Sequence, residues 1–172
     1  MRVFNETQRF TQWWIGIIYL LLTIFPLVAA YKWFILKEHI GNVGTQDWDG
    51  IIFTLTLFPL ILLLLLSFKL QVVIDERGIL YRFFPFHKNL KLIPWDTMEK
   101  CYTRKYKPLT EYGGWGLKFG LNGVRALTVK GNEGIQIKLK NENSLLIGTQ
   151  KLNQAQTIIN RYFKKDEGVQ SS

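Results

Sequence analysis

Cysteine, histidine and methionine are scarce in this chain of 172 residues, which has one Cys, two His and two Met. A single cysteine excludes an internal disulfide, and Cys101 lies on a predicted strand, where a thiol is read as a small apolar filler. His39 and His87 stand on opposite sides of an apolar run and cannot share a zinc ion with Cys101 in any ordinary geometry. The motifs of nucleophilic and metal-assisted hydrolysis are missing: there is no Gly-x-Ser-x-Gly, no His-Glu-x-x-His and no cluster of His with carboxylates. Asp96 with Glu99, or Glu111 alone, are the only imaginable acid–base groups, and carboxylates so placed are ordinarily solvated. The expectation is therefore a protein that is not an enzyme, with no catalytic residue, no metal and no cofactor. No DNA- or RNA-reading motif is present, so a nucleic acid is not expected as a partner.

Charge is missing from two long runs. Trp13 to Trp33 carries none before Lys32, and Ile51 to Phe68 carries none at all. The first run, at 1.5 Å per helical residue, spans about 30 Å, the thickness of a hydrocarbon core. Trp13 and Trp14 at one end and Tyr31 and Trp33 at the other supply the aromatic belts of a transmembrane helix. The second run contains Leu60 to Leu66, too apolar all round for one face of a soluble helix. With no ionisable group in either interior, both read as anchors rather than as an ion or proton path. A cleavable signal peptide ending near Val28-Ala29-Ala30 is the competing reading of the first run. Against it, the apolar stretch continues through Trp33-Phe34-Ile35-Leu36.

The net charge of +9 lies elsewhere: from Ser67 to the end there are 18 Lys and Arg against nine Asp and Glu. The connection between the runs holds Lys37 alone of Lys and Arg, with Lys32 at the end of the first run. The positive-inside rule then places both termini in the cytoplasm and the loop outside, for an integral protein of the inner membrane. The expected division is a cytoplasmic flank at 1–12, transmembrane helices at 13–33 and 51–68 joined by an extracytoplasmic loop at 34–50, a cytoplasmic domain at 69–165 and a disordered tail at 166–172.

Beyond Lys69 the pattern becomes one of short strands. Leu70–Asp75 and Ile79–Phe84 flank the turn Asp75-Glu76-Arg77-Gly78, a hairpin signal. Leu90–Trp95 and Thr97–Tyr106 follow. Val124–Lys130 and Gly134–Lys140 flank Gly131-Asn132-Glu133, which predicts a second hairpin, and Ser144–Gly148 is a last strand. In Gly134–Lys140, Ile135, Ile137 and Leu139 alternate with Gln136, Lys138 and Lys140, as on a sheet with one buried face. Lys151 to Lys164 predicts an amphipathic helix with Leu152, Ala155, Ile158, Ile159, Tyr162 and Phe163 as its stripe and Thr149 as N-cap. Seven antiparallel strands and a terminal helix predict an all-β or α+β unit, a small barrel capped by a helix.

Three segments carry a resemblance. Ile93-Pro94-Trp95-Asp96-Thr97-Met98, the hairpin at Asp75–Arg82 and the passage Leu145-Leu146-Ile147-Gly148-Thr149-Gln150 resemble bacterial pleckstrin-homology-like domains. In that family the domain often follows two membrane spans. The resemblance covers about residues 69–165 and implies a PH-like antiparallel barrel that binds something, without saying what. Glu111 to Lys118 also resembles a Glu-Tyr-Gly-Gly-Trp-Gly motif of small membrane proteins with no activity to carry over.

Two surfaces are candidates for binding. Glu111, Tyr112, Gly113, Gly114, Trp115, Gly116 and Lys118, with Gly120 and Gly123 beyond, form a glycine-rich stretch around one Trp, read as a loop that recognises a protein partner or as a connection folded onto the barrel. It is neither a dinucleotide fingerprint nor a P-loop. The second surface, Phe84, Phe86, His87, Lys88 and Lys91, pairs aromatics with bases as an interfacial segment does, and suits anionic lipid. Arg82 belongs to the same basic group, and Lys100, Arg104, Lys105 and Lys107 form another. The leading expectation is an accessory subunit that binds a protein partner or a larger membrane complex; binding of anionic lipid headgroups of the cytoplasmic leaflet is the alternative.

Overall fold

The computed structural model describes residues 3–119 and 124–169, with side chains as far as 163. Arg2, Gly120, Gly123 and the end of the expected tail, 170–172, lie outside the described residues. The chain divides into two units, one of residues Thr11–Ser67 and the other formed by the segments on both sides of it.

The apolar unit is a pair of helices. Helix α1 (Trp13–Tyr31) continues as a π-helical turn over Lys32–Leu36, and α2 covers Trp48–Ser67. Counting that turn, they comprise 24 and 20 residues, each long and apolar enough to cross a membrane. Phe25 packs on Phe58 at 4.6 Å between ring centroids. Near the connection Ala29, Trp33 and Ile51 form a small buried cluster, and Trp33 Nε1 donates to the Val43 carbonyl at 3.3 Å. Helix α2 starts earlier than the apolar run because Asp47 accepts the Gly50 N–H at 3.2 Å, a side-chain cap that a hydropathy reading overlooks.

The other unit holds nine strands among the described residues. Strands β1 (Phe4–Arg9), β2 (Lys69–Asp75), β3 (Gly78–Phe84) and β4 (Lys91–Pro94) form a sheet in that order, all antiparallel. Strands β5 (Met98–Lys105), β6 (Gly116–Phe119), β7 (Val124–Thr128), β8 (Glu133–Leu139) and β9 (Ser144–Gly148) form a second sheet in the order β5-β8-β9-β7-β6. A short helix, α3 (Pro108–Tyr112), links β5 to β6, and α4 (Leu152–Val169) closes the chain.

Three expectations are corrected. The sheets do not close into a barrel. The open edge of β2 that closure would need is taken by β1, with Phe4 opposite Ile74 and Arg9 opposite Lys69. Nor is the unit wholly antiparallel, because β7 and β9 run parallel. The predicted hairpin across Gly131-Asn132-Glu133 does not form: β9 lies between β7 and β8. The cause is composition. Leu145, Leu146 and Ile147 in succession are all buried, and a strand apolar on both faces belongs in the middle of a sheet.

Segment 4–9, expected only as a flank, is thus a strand, and α4 runs on into the expected tail. The Glu76–Arg77 turn follows expectation, with Asp75 opposite Gly78. Gly78 has φ +150°, and a Cβ there would lie 2.1 Å from the Ile93 carbonyl oxygen, so the close approach of β4 to β3 requires glycine. Phe4, Leu70, Val72, Ile74, Ile79 and Phe83 from the first sheet meet Leu127, Ile135, Ile137 and Ile147 from the second in one core, sealed by Ala155, Ile158 and Ile159 of α4. The corner between the sheets is a 3-10 turn at Trp95–Thr97.

Candidate site on the outer face of the five-stranded sheet

Alternation along the strands sends Cys101, Ile135, Ile137 and Leu145 to the core, and Tyr102, Arg104, Gln136 and Lys138 to the other face. Among the described residues, that outer face is covered at one end. There Tyr106, Ala126 and Leu146 are buried beneath Tyr112 of α3. Tyr106 and Tyr112 meet edge to face at 6.0 Å, and burial pushes the Tyr106 hydroxyl pKa up to about 12. The uncovered remainder is a groove of about 600 Å³ lined by Lys100, Tyr102, Arg104, Tyr112, Val124, Gln136, Lys138 and Ser144.

The groove is basic, and two of its bases, Arg104 and Lys138, are oriented by side-chain partners. Arg104 donates from Nη2 to Glu111 Oε2 at 2.8 Å and to the Tyr112 hydroxyl at 3.0 Å, and from Nε to Gln136 Oε1 at 3.1 Å. Gln136 in turn donates to the Leu145 carbonyl at 3.4 Å. Lys138 pairs with Glu99 at 3.0 Å. Such fixed cations and phenols suit carboxylates or other anions laid along the sheet.

The glycine-rich stretch contributes to this face unevenly. Glu111 accepts from Arg104 and from the Lys107 N–H at 2.7 Å. Gly113 ends α3 with φ +66°, and Gly114 and Gly116 also have positive φ. Trp115 is half-buried, and its Nε1 donates to the Gly131 carbonyl at 2.8 Å. These contacts hold the segment on the sheet; Tyr112 alone of the seven lines the groove. Lys118 is in β6, apart from it.

The hydrogen bond from Arg104 holds the Glu111 carboxyl below the usual carboxylate range, helped by the Lys107 N–H and opposed by partial burial. A depressed folded pKa stabilises the fold above that range and is lost as the carboxylate protonates. The stability advantage of wild type over Glu111→Gln is expected to be full above about pH 5 and to fade below about pH 4. The pair is about one-third exposed, so solvent screening limits the effect to about 0.5 kcal/mol. Denaturant unfolding of both proteins at several pH values checks this, and an advantage that persists at low pH would refute it.

The second predicted surface surrounds the β3–β4 turn. Phe83 points into the core, while Phe84 and Phe86 are exposed, as are Leu90 and Leu92. Lys88 and Lys91 are exposed. His87 is drawn back against Tyr81, with the rings at 5.7 Å. Burial and the charges of Lys91 and Arg125 lower its pKa.

Sequence reasoning missed a further polar contact in the core. Glu6 on β1 is only 6% exposed. It accepts from Thr149 Oγ1 at 2.6 Å and from the Gln150 N–H at 2.8 Å, and Gln8 Nε2 donates to the Gly148 carbonyl at 2.7 Å. Thr149, expected as the N-cap of the last helix, instead braces the strand-to-helix passage against β1 and accepts the Lys151 N–H at 3.1 Å. Inward-facing Glu and Gln gave no apolar period, which is why β1 was not legible.

Burial pushes the Cys101 thiol pKa up to about 12, so it stays protonated and unreactive. Among the described residues no group of three or more His, Cys, Asp or Glu comes together as a metal site would require. No family model matches this sequence, and no curated protein matches it.

Proposed function

We propose that this chain is a membrane-anchored interaction module, an accessory subunit whose pleckstrin-homology-like β unit holds an acidic segment of a protein partner within a membrane complex. The observation that carries the reading is the groove on the five-stranded sheet, where Lys100, Arg104 and Lys138 stand among Tyr102, Tyr112 and Gln136. Its lining is suited to binding rather than to turnover. Fixed cations recognise carboxylates, and phenol rings supply contact area at low entropic cost.

The two apolar helices are the anchor in the inner membrane. The pairing of β1 with β2 supports a shared side for the two ends of the chain, because Arg9 and Lys69 are direct partners across the two helices. An even number of crossings keeps them together. The excess of Lys and Arg after Ser67 favours the cytoplasmic side. Anionic lipid is the second reading of the domain's ligand, favoured by the Phe84–Leu92 surface.

A photo-cross-linking residue at Tyr102, in the full chain in its native membrane, is expected to give one discrete adduct with an acidic membrane protein. Charge reversal at Lys100 together with Lys138→Gln should reduce that adduct at least tenfold, while thermal unfolding changes by no more than the loss of the exposed Glu99 pair, about 0.5 kcal/mol. An adduct indifferent to charge reversal, or none, would overturn the reading.

A further inference from the structure

The end of the β unit at which both apolar helices join it carries a distinct surface. Strand β2 begins at Lys69, two residues after α2 ends at Ser67, and the Cα partner of Lys69 on β3 is Phe84. On the other side of β2, Arg9 is the partner of Lys69. The β3–β4 turn therefore issues from the sheet end where the chain enters and leaves its two membrane-length helices. The Asp75–Gly78 turn lies at the other end of the same ribbon.

That end is apolar and basic at once. Phe10 meets Phe68 at 6.0 Å, and Phe68 meets Phe83 and Phe86 at 6.0 and 5.8 Å. Phe86 stacks on Phe83 with the planes 6° apart, yet remains 57% exposed. Phe84, Leu90 and Leu92 are exposed beside it, with Lys88 and Lys91 between them. In water, four large apolar side chains within nine residues form a patch that calls for a partner.

We infer that this turn is seated in the bilayer interface of the domain's own leaflet. Phe84, Phe86 and Leu90 enter the acyl boundary, and Lys88 and Lys91 meet anionic headgroups. The occupant is lipid rather than protein because the surface adjoins the residues that lead directly into the two apolar helices. Its bases also alternate with its apolar groups, as in segments that lie in an interface. His87 lies in the same turn, partly buried against Tyr81. The seating rests on the membrane-spanning part of the proposed function and is independent of the groove.

The full chain, with Cys101 replaced by Ala, is labelled with an environment-sensitive fluorophore at single cysteines and inserted into vesicles of phosphatidylglycerol and phosphatidylcholine. Phe86→Cys and Lys88→Cys probe the turn, Glu76→Cys the far end of the ribbon, and Leu63→Cys the second helix. Lipid-borne nitroxide is expected to quench Phe86→Cys and Lys88→Cys severalfold more than Glu76→Cys. Aqueous iodide should show the reverse order. Quenching at Leu63→Cys but equal behaviour at the turn and at Glu76→Cys would overturn the seating while leaving the spans intact. No lipid quenching at Leu63→Cys would overturn the spans and the seating together. Shielding of the turn from both quenchers would mean that protein covers it, and would also refute the proposal.

Discussion

A chain cut before Phe68 is expected not to fold, whereas the same chain with residues 1–10 joined to Phe68 by an Asn-Gly turn is expected to fold as a water-soluble domain. In sequence the two helices precede the β unit; in the fold they are an insertion between two paired strands. Phe10 and Phe68 already meet ring to ring, and Arg9 and Lys69 are register partners, so a two-residue type I′ turn closes the gap with the twist that an antiparallel ribbon favours. Omitting β1 removes the buried Phe4 ring, worth about 2 kcal/mol. It also removes the hydrogen bonds of Glu6 and Gln8 to the 148–150 passage, at about 1–3 kcal/mol each. The total, about 5 kcal/mol or more, rivals the whole stability of a domain this size. Circular dichroism and urea unfolding of the two proteins make the comparison. Equal stability within about 1 kcal/mol would show that β1 is dispensable.

Trp95→Ala is expected to cost about 3–5 kcal/mol and to lower the melting temperature by well over about 10 °C. Trp95 occupies the corner where the chain leaves the first sheet for the second, and it is 4% exposed. Its ring lies 6.4 Å from Tyr162 and 6.1 Å from Phe163 of α4, and Nε1 donates to the Asp75 carbonyl at 3.0 Å. One side chain thus ties the β2–β3 turn, the corner and the last helix together. No neighbour can fill the space, because the surrounding groups belong to three separate elements. Trp95→Phe keeps the ring but loses the donor and part of the volume, and should cost roughly half as much. A small loss for Trp95→Ala, with the near-ultraviolet signal of α4 packing preserved, would refute the assignment of this corner as the joint of the unit.

Much of this architecture was legible in the chain, and the failures have a common cause. Uncharged runs gave both helices, the turn at Asp75–Gly78 gave β2 and β3, and alternation gave β8. Reading stopped where a partner lies far along the chain. Strand β1 turns Glu6 and Gln8 inward, and only the distant Gly148–Gln150 passage explains why. Strand β9 was identified, but its central place follows from burial on both faces and not from its neighbours in sequence. The groove divides the same way. Lys100 and Arg104 were visible as a basic cluster on one strand. Gln136, Lys138 and Ser144 join them only through the pairing of β5 with β8 and of β8 with β9.

The bond from Thr149 to Glu6 spans 143 positions of sequence. During synthesis β1 precedes both helices, and its strand partner appears only after them. Its anchor, Thr149, emerges 143 positions after Glu6. A nascent or truncated chain therefore carries on the inward face of an incomplete sheet a carboxylate without its donors and an amide without its acceptor. Long-range closure of this kind slows folding. It also ties the ordered state to chains that extend past Thr149: a copy that ends before Thr149 lacks the contact that fastens β1.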